Sequence, residues 1–444
     1  MFTKRGLLRF AAAAMLAGTA RAAETSETAD AIALAREGAV AAEAKDYATY
    51  LARMESAVSL RPEFPRMLVS LAEAQVANDR LEDAVATLNR LAALGMYSAV
   101  DKAEEFTALR GQPGFKEVVK KFSNNLVMQG RGRIAFTLRD VTGLIEGIAW
   151  RAKTGEFFLG DVNGRTVWVR GKDGALQRFS PEGDELLGVF GLAVDENRGV
   201  LWAATSAVRG MRGFMPDQDG AAALAELDLE SGAIRRTVPV VRAEGDRQSH
   251  VLGDLAIAPD GTVFATDSGG AVLWKLAPDG RGLERLAESN EFVSLQGIVV
   301  AAGGDVLVVS DYSSGLLRVD VATRNVRRYS LPENTTLVGI DGMALAPDGS
   351  VFAIQNGTRP IRVLRIAFDP AYEEIATVTV LESGHINMAA PSLGCIATGG
   401  NFHYIGNAGW TRFEFSDGEP TEPRVVPVFV TEIEKPGRAR SSGR

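Results

Sequence analysis

Ile145-Glu146-Gly147-Ile148-Ala149-Trp150 opens a series that runs through the C-terminal two-thirds of the chain. It returns as Val189-Phe190-Gly191-Leu192-Ala193-Val194, as Leu252-Gly253-Asp254-Leu255-Ala256-Ile257 and as Leu295-Gln296-Gly297-Ile298-Val299-Val300. Ile340-Asp341-Gly342-Met343-Ala344-Leu345 follows, and Ser392-Leu393-Gly394-Cys395-Ile396 is a weaker last copy. Each copy is a short apolar strand entered through a residue just before Gly or Asp, then a turn and a second strand. The copies lie about 40 to 60 residues apart, the interval at which self-similarity marks propellers and other repeat arrays. Six copies predict six blades, and hence a mainly β fold, a six-bladed β-propeller.

The punctuation between strands has its own mechanism. Pro259-Asp260-Gly261 and Pro347-Asp348-Gly349 separate first from second strands in two copies, and Ala302-Gly303-Gly304 does so in a third. Pro presets one turn angle, Asp bonds its own backbone, and Gly accepts a positive φ. Second strands are predicted at 156–159, 200–203, 263–265, 306–309 and 351–354, ending in Asp161, Thr205, Asp267, Asp311 and Asn356. For Asp161, Asp267 and Asp311 the expected role is to cap the following loop through Asx-type bonds. Third strands follow at 167–169, 272–274, 316–319 and 361–364. No helical crossover separates these strands, which excludes a long parallel sheet. Residues 134–138 and 425–430 are both eligible to complete the ring, and the choice between them stays open. An insertion at 209–221 in the second copy is expected over the pocket as a lid.

A chain of 444 residues exceeds what one hydrophobic core usually supports, so two domains are expected. Residues 28–122 are rich in Ala, Leu and Glu with helical spacing. Gly38, Ala57 and Pro62, then Leu71, Ala72, Ala84, Leu88 and Leu91 at matching offsets, resemble two degenerate tetratricopeptide units. The expectation is an N-terminal α-helical tetratricopeptide-like domain over 28–122, a joint near 123–133, and the propeller over 130–432. So short an array is expected to pack on the propeller as a cap, with a protein-binding groove as the functional alternative.

Before the helices, residues 1–22 read as a signal peptide. Lys4, Arg5 and Arg9 form a basic start, residues 7–18 are apolar, and Ala20-Arg21-Ala22 has the small-x-small pattern of a cleavage site. The apolar run is too short to span a bilayer, so the expected product is a periplasmic or secreted protein with no membrane span. Cleavage removes Lys4, Arg5, Arg9 and Arg21 and no acid, taking the formal charge of −8 down by four to about −12. A surface that acidic disfavours nucleic acid and anionic membrane as partners. Cys395 is the only cysteine, which excludes an intramolecular disulfide; it reads as a packed small hydrophobe.

In a propeller the inner strands start around one axis, so the residues before the repeated Gly ring a central opening. In chain order they are Glu146, Phe190, Gly253, Gln296, Asp341 and Leu393, with Asp254 beside Gly253. Two carboxylates and an amide begin the oxygen shell that a hard divalent cation, calcium above all, requires. His250, just before the third inner strand, is a candidate general base near neutral pH, with a surface-loop histidine as the alternative. His385 lies on the same rim, and His403 is expected to pack between blades. Arg359 or Arg362 is expected either to pair with a substrate carboxylate or to decorate the surface. Serine-elbow, zinc-helix, Cys-x-x-Cys and phosphate-loop motifs are absent from the sequence.

Over residues 130–415 the blades resemble the gluconolactonase family of six-bladed propellers, which includes regucalcin, the senescence marker protein. The best motifs are Glu146-Gly147-Ile148-Ala149-Trp150, similar to the family's Glu-Gly-Pro-x-Trp, and Asp341-Gly342-Met343, similar to its Asp-Gly-Met. The resemblance implies that Glu146 and Asp341 are metal ligands and that Asp341 is also the base for lactone hydrolysis. Two positions depart from the pattern: Gln296-Gly297 stands where the family has Asn-Gly, and Gly253-Asp254 where it often has Asn-Asp.

Two functions follow as expectations. One is an exported hydrolase of a lactone or related ester, dependent on a divalent metal held by Glu146, Gln296, Asp341 and Asp254, with Asp341 and His250 as catalytic candidates. The other is a non-catalytic periplasmic propeller that binds a small ligand in the axial pocket and a protein partner through the helices. The Gly and Gln departures favour the second, and the pairing of Glu146 with Asp341 favours the first.

Overall fold

Alternating β-branched strands and short turns build six four-stranded antiparallel sheets among the described residues. The computed structural model describes residues 26–432 except 131, 184, 243–247, 302 and 414–417, so the expected signal peptide at 1–22 lies outside the described residues. Blade 1 spans 145–178, blade 2 188–239, blade 3 252–287, blade 4 295–328 and blade 5 340–383, each with its four strands in chain order from the axis outward. Blade 6 takes Gly394–Ile396, Phe402–Ile405 and Arg424–Thr431 from the end of the chain and Arg133–Val141 as its outermost strand. Both candidates for ring closure are therefore used, paired with each other through Phe136 opposite Val428 and Leu138 opposite Val426.

Neighbouring inner strands touch all the way round, the last returning to the first. The repeated Gly is what permits this. A Cβ on Gly147 would stand 2.0 Å from the Phe190 carbonyl oxygen, one on Gly297 2.5 Å from that of Asp341, and one on Gly342 2.7 Å from that of Ser392. Each offending atom belongs to the next blade, so any side chain at these positions would push the blades apart. Hydroxyls then fasten the contact. Ser310 Oγ donates to the Asp341 carbonyl at 3.1 Å, Ser392 Oγ to that of Glu146 at 2.9 Å, and Thr266 Oγ1 to that of Gln296.

Further from the axis, the blades are held face to face by apolar side chains. Phe158, Val167 and Leu227 fill the space between blades 1 and 2, and Phe352, Phe402, Tyr404 and Phe429 that between blades 5 and 6. Closure is sealed where Leu138, Val426 and Val428 of blade 6 meet Ile145, Phe157 and Leu159 of blade 1. Each such side chain contributes roughly 1.5 to 3 kcal/mol when fully buried.

Ahead of the propeller stand helices α1 (Glu27–Glu43), α2 (Tyr47–Leu60), α3 (Pro65–Ala77) and α4 (Leu81–Ala93), each packed on the next, then a short 3-10 turn and α5 (Phe115–Asn125). Ser26 and Asp46 cap α1 and α2 by accepting the N–H of Ala29 and Thr49, which satisfies donors the helix leaves unpaired. Gly38 lets α1 approach Met54 and Tyr50 of α2, at 3.2 and 3.4 Å from a notional Cβ.

This helical layer lies on the face where the inner strands start, over blades 4 and 5. Arg61, fully buried, donates to Thr28 Oγ1 and to the carbonyls of Ser314 at 3.1 Å and Ser313 at 3.4 Å. In the reverse direction Arg362 donates to the Leu94 carbonyl at 3.1 Å, while the Tyr97 N–H donates from the helical side to the Arg359 carbonyl at 2.7 Å.

A repeated glycine, Gly297, and Gly253, which precedes the glycine position in blade 3, make a paired test. Gly297→Ala should destabilise the protein by about 2 kcal/mol or more, because backbone has to move. Gly253→Ala, where a Cβ meets nothing within 4 Å, should stay within about 0.5 kcal/mol of wild type in urea unfolding.

Candidate axial site

Because six inner strands start at one axis, the side chains they carry there are drawn together. Glu146 is buried, and its Oε2 accepts the Trp410 indole N–H at 2.8 Å. Asp341 Oδ2 accepts from the Asn356 amide at 2.6 Å. That amide also donates to the Pro391 carbonyl at 2.8 Å, while its Oδ1 accepts the Tyr312 hydroxyl at 2.8 Å. The Tyr312 ring rests on Gly357, where a Cβ would come within 2.6 Å of it. Gln296 Nε2 donates to Ser294 Oγ at 3.0 Å. Phe190, packed against Trp410 with ring centres 5.9 Å apart, and Leu393 complete the ring with apolar surface.

Asp254 holds the position that Gly occupies in the other blades. Its Oδ1 accepts its neighbour Leu255 N–H at 2.9 Å and its Oδ2 faces Ile298 N–H of blade 4 at 3.4 Å. It also presses on Gly191 of blade 2, whose notional Cβ lies 2.7 Å from Asp254 Oδ1. Gly253 beside it opens onto free space.

The electrostatics are those of enclosed acids with no counter-charge. Burial holds Glu146 well above the usual carboxylate range, and the charges of Asp341 and then Asp254 add to it against the Trp410 and Ser392 hydrogen bonds. Burial pushes Asp254 up to about 8, opposed by the Leu255 and Ile298 N–H groups and helped by the charge of Asp341. Asp341 is likewise raised by burial, with Asn356 opposing. Its residue keeps partial exposure. No basic side chain offsets any of the three.

Do these residues suit a divalent ion? Among the described residues no three His, Cys, Asp or Glu side chains gather as a ready-made metal site. Asp254 has both oxygens against backbone N–H groups, so an ion at the axis would rest on Glu146 and Asp341 with the Gln296 amide oxygen. Those donors are hard oxygens, and their uncompensated charge is what a cation relieves, so the set fits calcium in kind.

The structure places the other expected residues elsewhere. His250 is 1 % exposed, which excludes a surface loop. Its Nδ1 lies 2.6 Å from Asp267 Oδ2, and its ring edge meets Trp274. It orients its loop, and its contacts do not reach the axial acids. Asp267 also accepts from Val251, Gly270 and Trp274, and Asp161 and Asp311 cap the equivalent loops of blades 1 and 4. In blade 5 the residue equivalent to these acids is Gln355, which pairs with Ile340 as Asp161 pairs with Ile145. Asn356 is one position further on, which turns it to the axis.

Arg362 is buried on Gln355 and Leu94 and serves the joint with the helices, so it is not free for a substrate, whereas Arg359 is exposed with its guanidinium over the Tyr97 ring. His403 packs between blades against Phe157, and burial raises the Cys395 thiol, keeping it protonated. The insertion at 209–221 is anchored to Asn163 of blade 1 and to Gly418, beside the segment carrying Trp410. The spacing of the repeat gave no signal for Trp410, which lies outside the repeated strands; it marked Asn356 as the end of a second strand but not as the partner of Asp341.

The fold and site define a six-bladed propeller with enclosed acids at its axis and a helical layer on the face where the inner strands start. A family model described as outer membrane protein assembly factor BamB matches residues 119–330, just under half of the chain. No curated protein matches the sequence. Solved structures that are similar include a gluconolactonase from Xanthomonas campestris, at 18% identity over 69% of this chain and 92% of that one, with a TM-score of 0.45. A luciferin-regenerating enzyme gives 14% identity, 69% and 96% coverage and a TM-score of 0.47. The PQQ-bound aldose sugar dehydrogenase of Streptomyces coelicolor gives 14%, 68% and 98%, and 0.46.

Asp267 supplies a pH test. Burial pushes its carboxyl up, but hydrogen bonds from His250, Gly270, Trp274 and Val251 outweigh that and hold it below the usual range. A depressed folded pKa gives stability that is present above the unfolded value and lost as pH falls through the folded one. Asp267→Asn should therefore cost about 3 kcal/mol at neutral pH. The gap to wild type in denaturant unfolding should narrow below about pH 4.

Proposed function

We propose that this protein is an exported hydrolase of a lactone or related ester, dependent on a divalent cation at the axis. The observation that carries the proposal is the group of enclosed carboxyls, Glu146, Asp254 and Asp341, that no basic side chain compensates. Glu146, Asp341 and Gln296 would hold the ion, with Asp254 beside them. A bound divalent cation supplies the charge that polarises a carbonyl and acidifies water. Asp341, fixed through Oδ2 by Asn356, has Oδ1 left to take the proton of an attacking water. The water oxygen bonds to the carbonyl carbon, the ring C–O bond breaks, and the proton passes to the departing oxygen, leaving a hydroxy acid. Phe190 and Leu393 keep bulk water from the reacting carbon.

The helices, proposed as degenerate tetratricopeptide units, act as a cap. No helix among the described residues is long and apolar enough to cross a membrane. Export to the periplasm or medium is proposed from residues 1–22. A second reading, a propeller that binds its ligand without turnover, is favoured by Gly253, which offers no ligand, and by Asp254, which serves the backbone.

Calcium should raise the melting temperature of wild type by mass action, and Asp341→Asn or Glu146→Gln should blunt that rise. Gly253→Asn places an amide oxygen in open space and should tighten calcium binding. Asp341→Asn should also abolish lactone hydrolysis followed by pH-stat titration. An unshifted wild-type melting curve, with no metal co-purifying, overturns the hydrolase reading in favour of the binding protein. For export, N-terminal sequencing of secreted protein should begin at Ala23.

A further inference from the structure

Helices and propeller do not meet everywhere along their joint. Between the ends of α2 and α4 on one side, and blade 4 with its flanking loops on the other, lies a cavity of about 500 Å³. That volume falls within the roughly 300 to 1,000 Å³ of small-ligand sites. Leu60, Leu94 and Leu331 give the cavity apolar surface, and Arg90, Glu291 and Arg328 give it charge. Its walls are held from both layers. Arg61, next to Leu60, is bonded to the carbonyls of Ser313 and Ser314, Arg328 pairs with Glu27, and Thr28 donates to Glu291 Oε2 at 3.2 Å.

The polar groups of this wall are not all spent. Glu63, also in the wall, pairs with Arg61 at 2.8 Å. Arg328 has Nη2 on Glu27 but keeps Nη1 buried without a partner. Arg90 is exposed, and its guanidinium makes only a long approach to the Pro62 carbonyl at 3.5 Å. The Glu291 carboxylate has only the Thr28 hydroxyl. Neither Arg90 nor Glu291 forms an ion pair among the described residues. A cation and an anion thus border one space without neutralising each other. A plain anion entering it gains Arg90 but is repelled by Glu291 and Glu63, and a plain cation meets the reverse. A ligand that carries both signs answers both groups. We propose that this cavity is a second ligand site, separate from the axial one, and that it takes a small zwitterion with apolar side chains, an amino acid or short peptide in class. Its carboxylate rests on Arg90, where a guanidinium forks onto it through two parallel N–H bonds, and its ammonium rests on Glu291. Because the walls belong to both layers, an occupant ties the helices to blade 4 and stabilises the protein by mass action.

The probe is leucyl-leucine, titrated by calorimetry into the full-length protein, with N-acetyl-leucyl-leucine and leucyl-leucinamide as analogues that each lack one charge. Wild type should bind the dipeptide about tenfold more tightly than either analogue, the worth of one charged hydrogen bond. Arg90→Gln should lose about tenfold for leucyl-leucine and nothing for the amide, which has no carboxylate to offer. Glu291→Gln still accepts from Thr28; it should lose about tenfold for leucyl-leucine and nothing for the acetylated form. Arg90→Lys keeps the charge and should keep most of the affinity. Because Arg90 makes only one long contact, its variants should melt with wild type in the absence of dipeptide. Asp341→Asn should bind leucyl-leucine as wild type does, so the fate of the hydrolase reading leaves this site untouched. No binding of leucyl-leucine by wild type, equal affinity for all three probes, indifference of leucyl-leucine to Arg90→Gln, or loss of binding in Asp341→Asn overturns the proposal.

Discussion

Six backbones meet at one axis, and the rest of the molecule answers to that approach. Where Phe190 and Asp341 carbonyls press on Gly147 and Gly297, no side chain fits, and the space left at the axis is narrow because of it. Narrowness encloses the acids that precede the glycines, and enclosure raises their pKa values. Blade 3 is the exception, and it sharpens the rule. Asp254 takes the glycine position and survives there because Gly191 on one side and the Ile298 N–H on the other make room and bonds for it.

The second constraint is the seating of the helices. Two buried arginines cross the joint in opposite directions, Arg61 into a propeller loop and Arg362 into the end of α4. Burying guanidinium is costly, and burial lowers Arg362 to about 10. Such bonds contribute less to stability than to a single registration of one layer on the other. That registration holds the helices over blades 4 and 5 instead of leaving them free to slide.

Much of this was legible in the residues. Hydrophobic alternation, Pro-Asp-Gly turns and the recurring glycine show six blades, since each follows from local backbone chemistry. The loop-capping acids were legible for the same reason: Asp161, Asp267 and Asp311 bond the backbone beside them. What could not be read depends on distant segments. Trp410 reaches Glu146 from the other end of the chain, and the one-residue offset between Gln355 and Asn356 appears only once strand register is fixed. Neither terminal strand could be chosen for closure because both are used side by side. Arg362, beside the mouth and so a plausible anion site by position, is consumed by a carbonyl of the helical layer.

The shared sixth blade also imposes a timetable. Helices α1 to α5 make local contacts and fold early, whereas Arg133–Val141 finds its partner Arg424–Thr431 only when synthesis is almost complete. Until then an open edge of unpaired backbone persists, the kind of surface on which nascent chains pair wrongly. The last residues of the described propeller thus decide when the protein becomes one cooperative body.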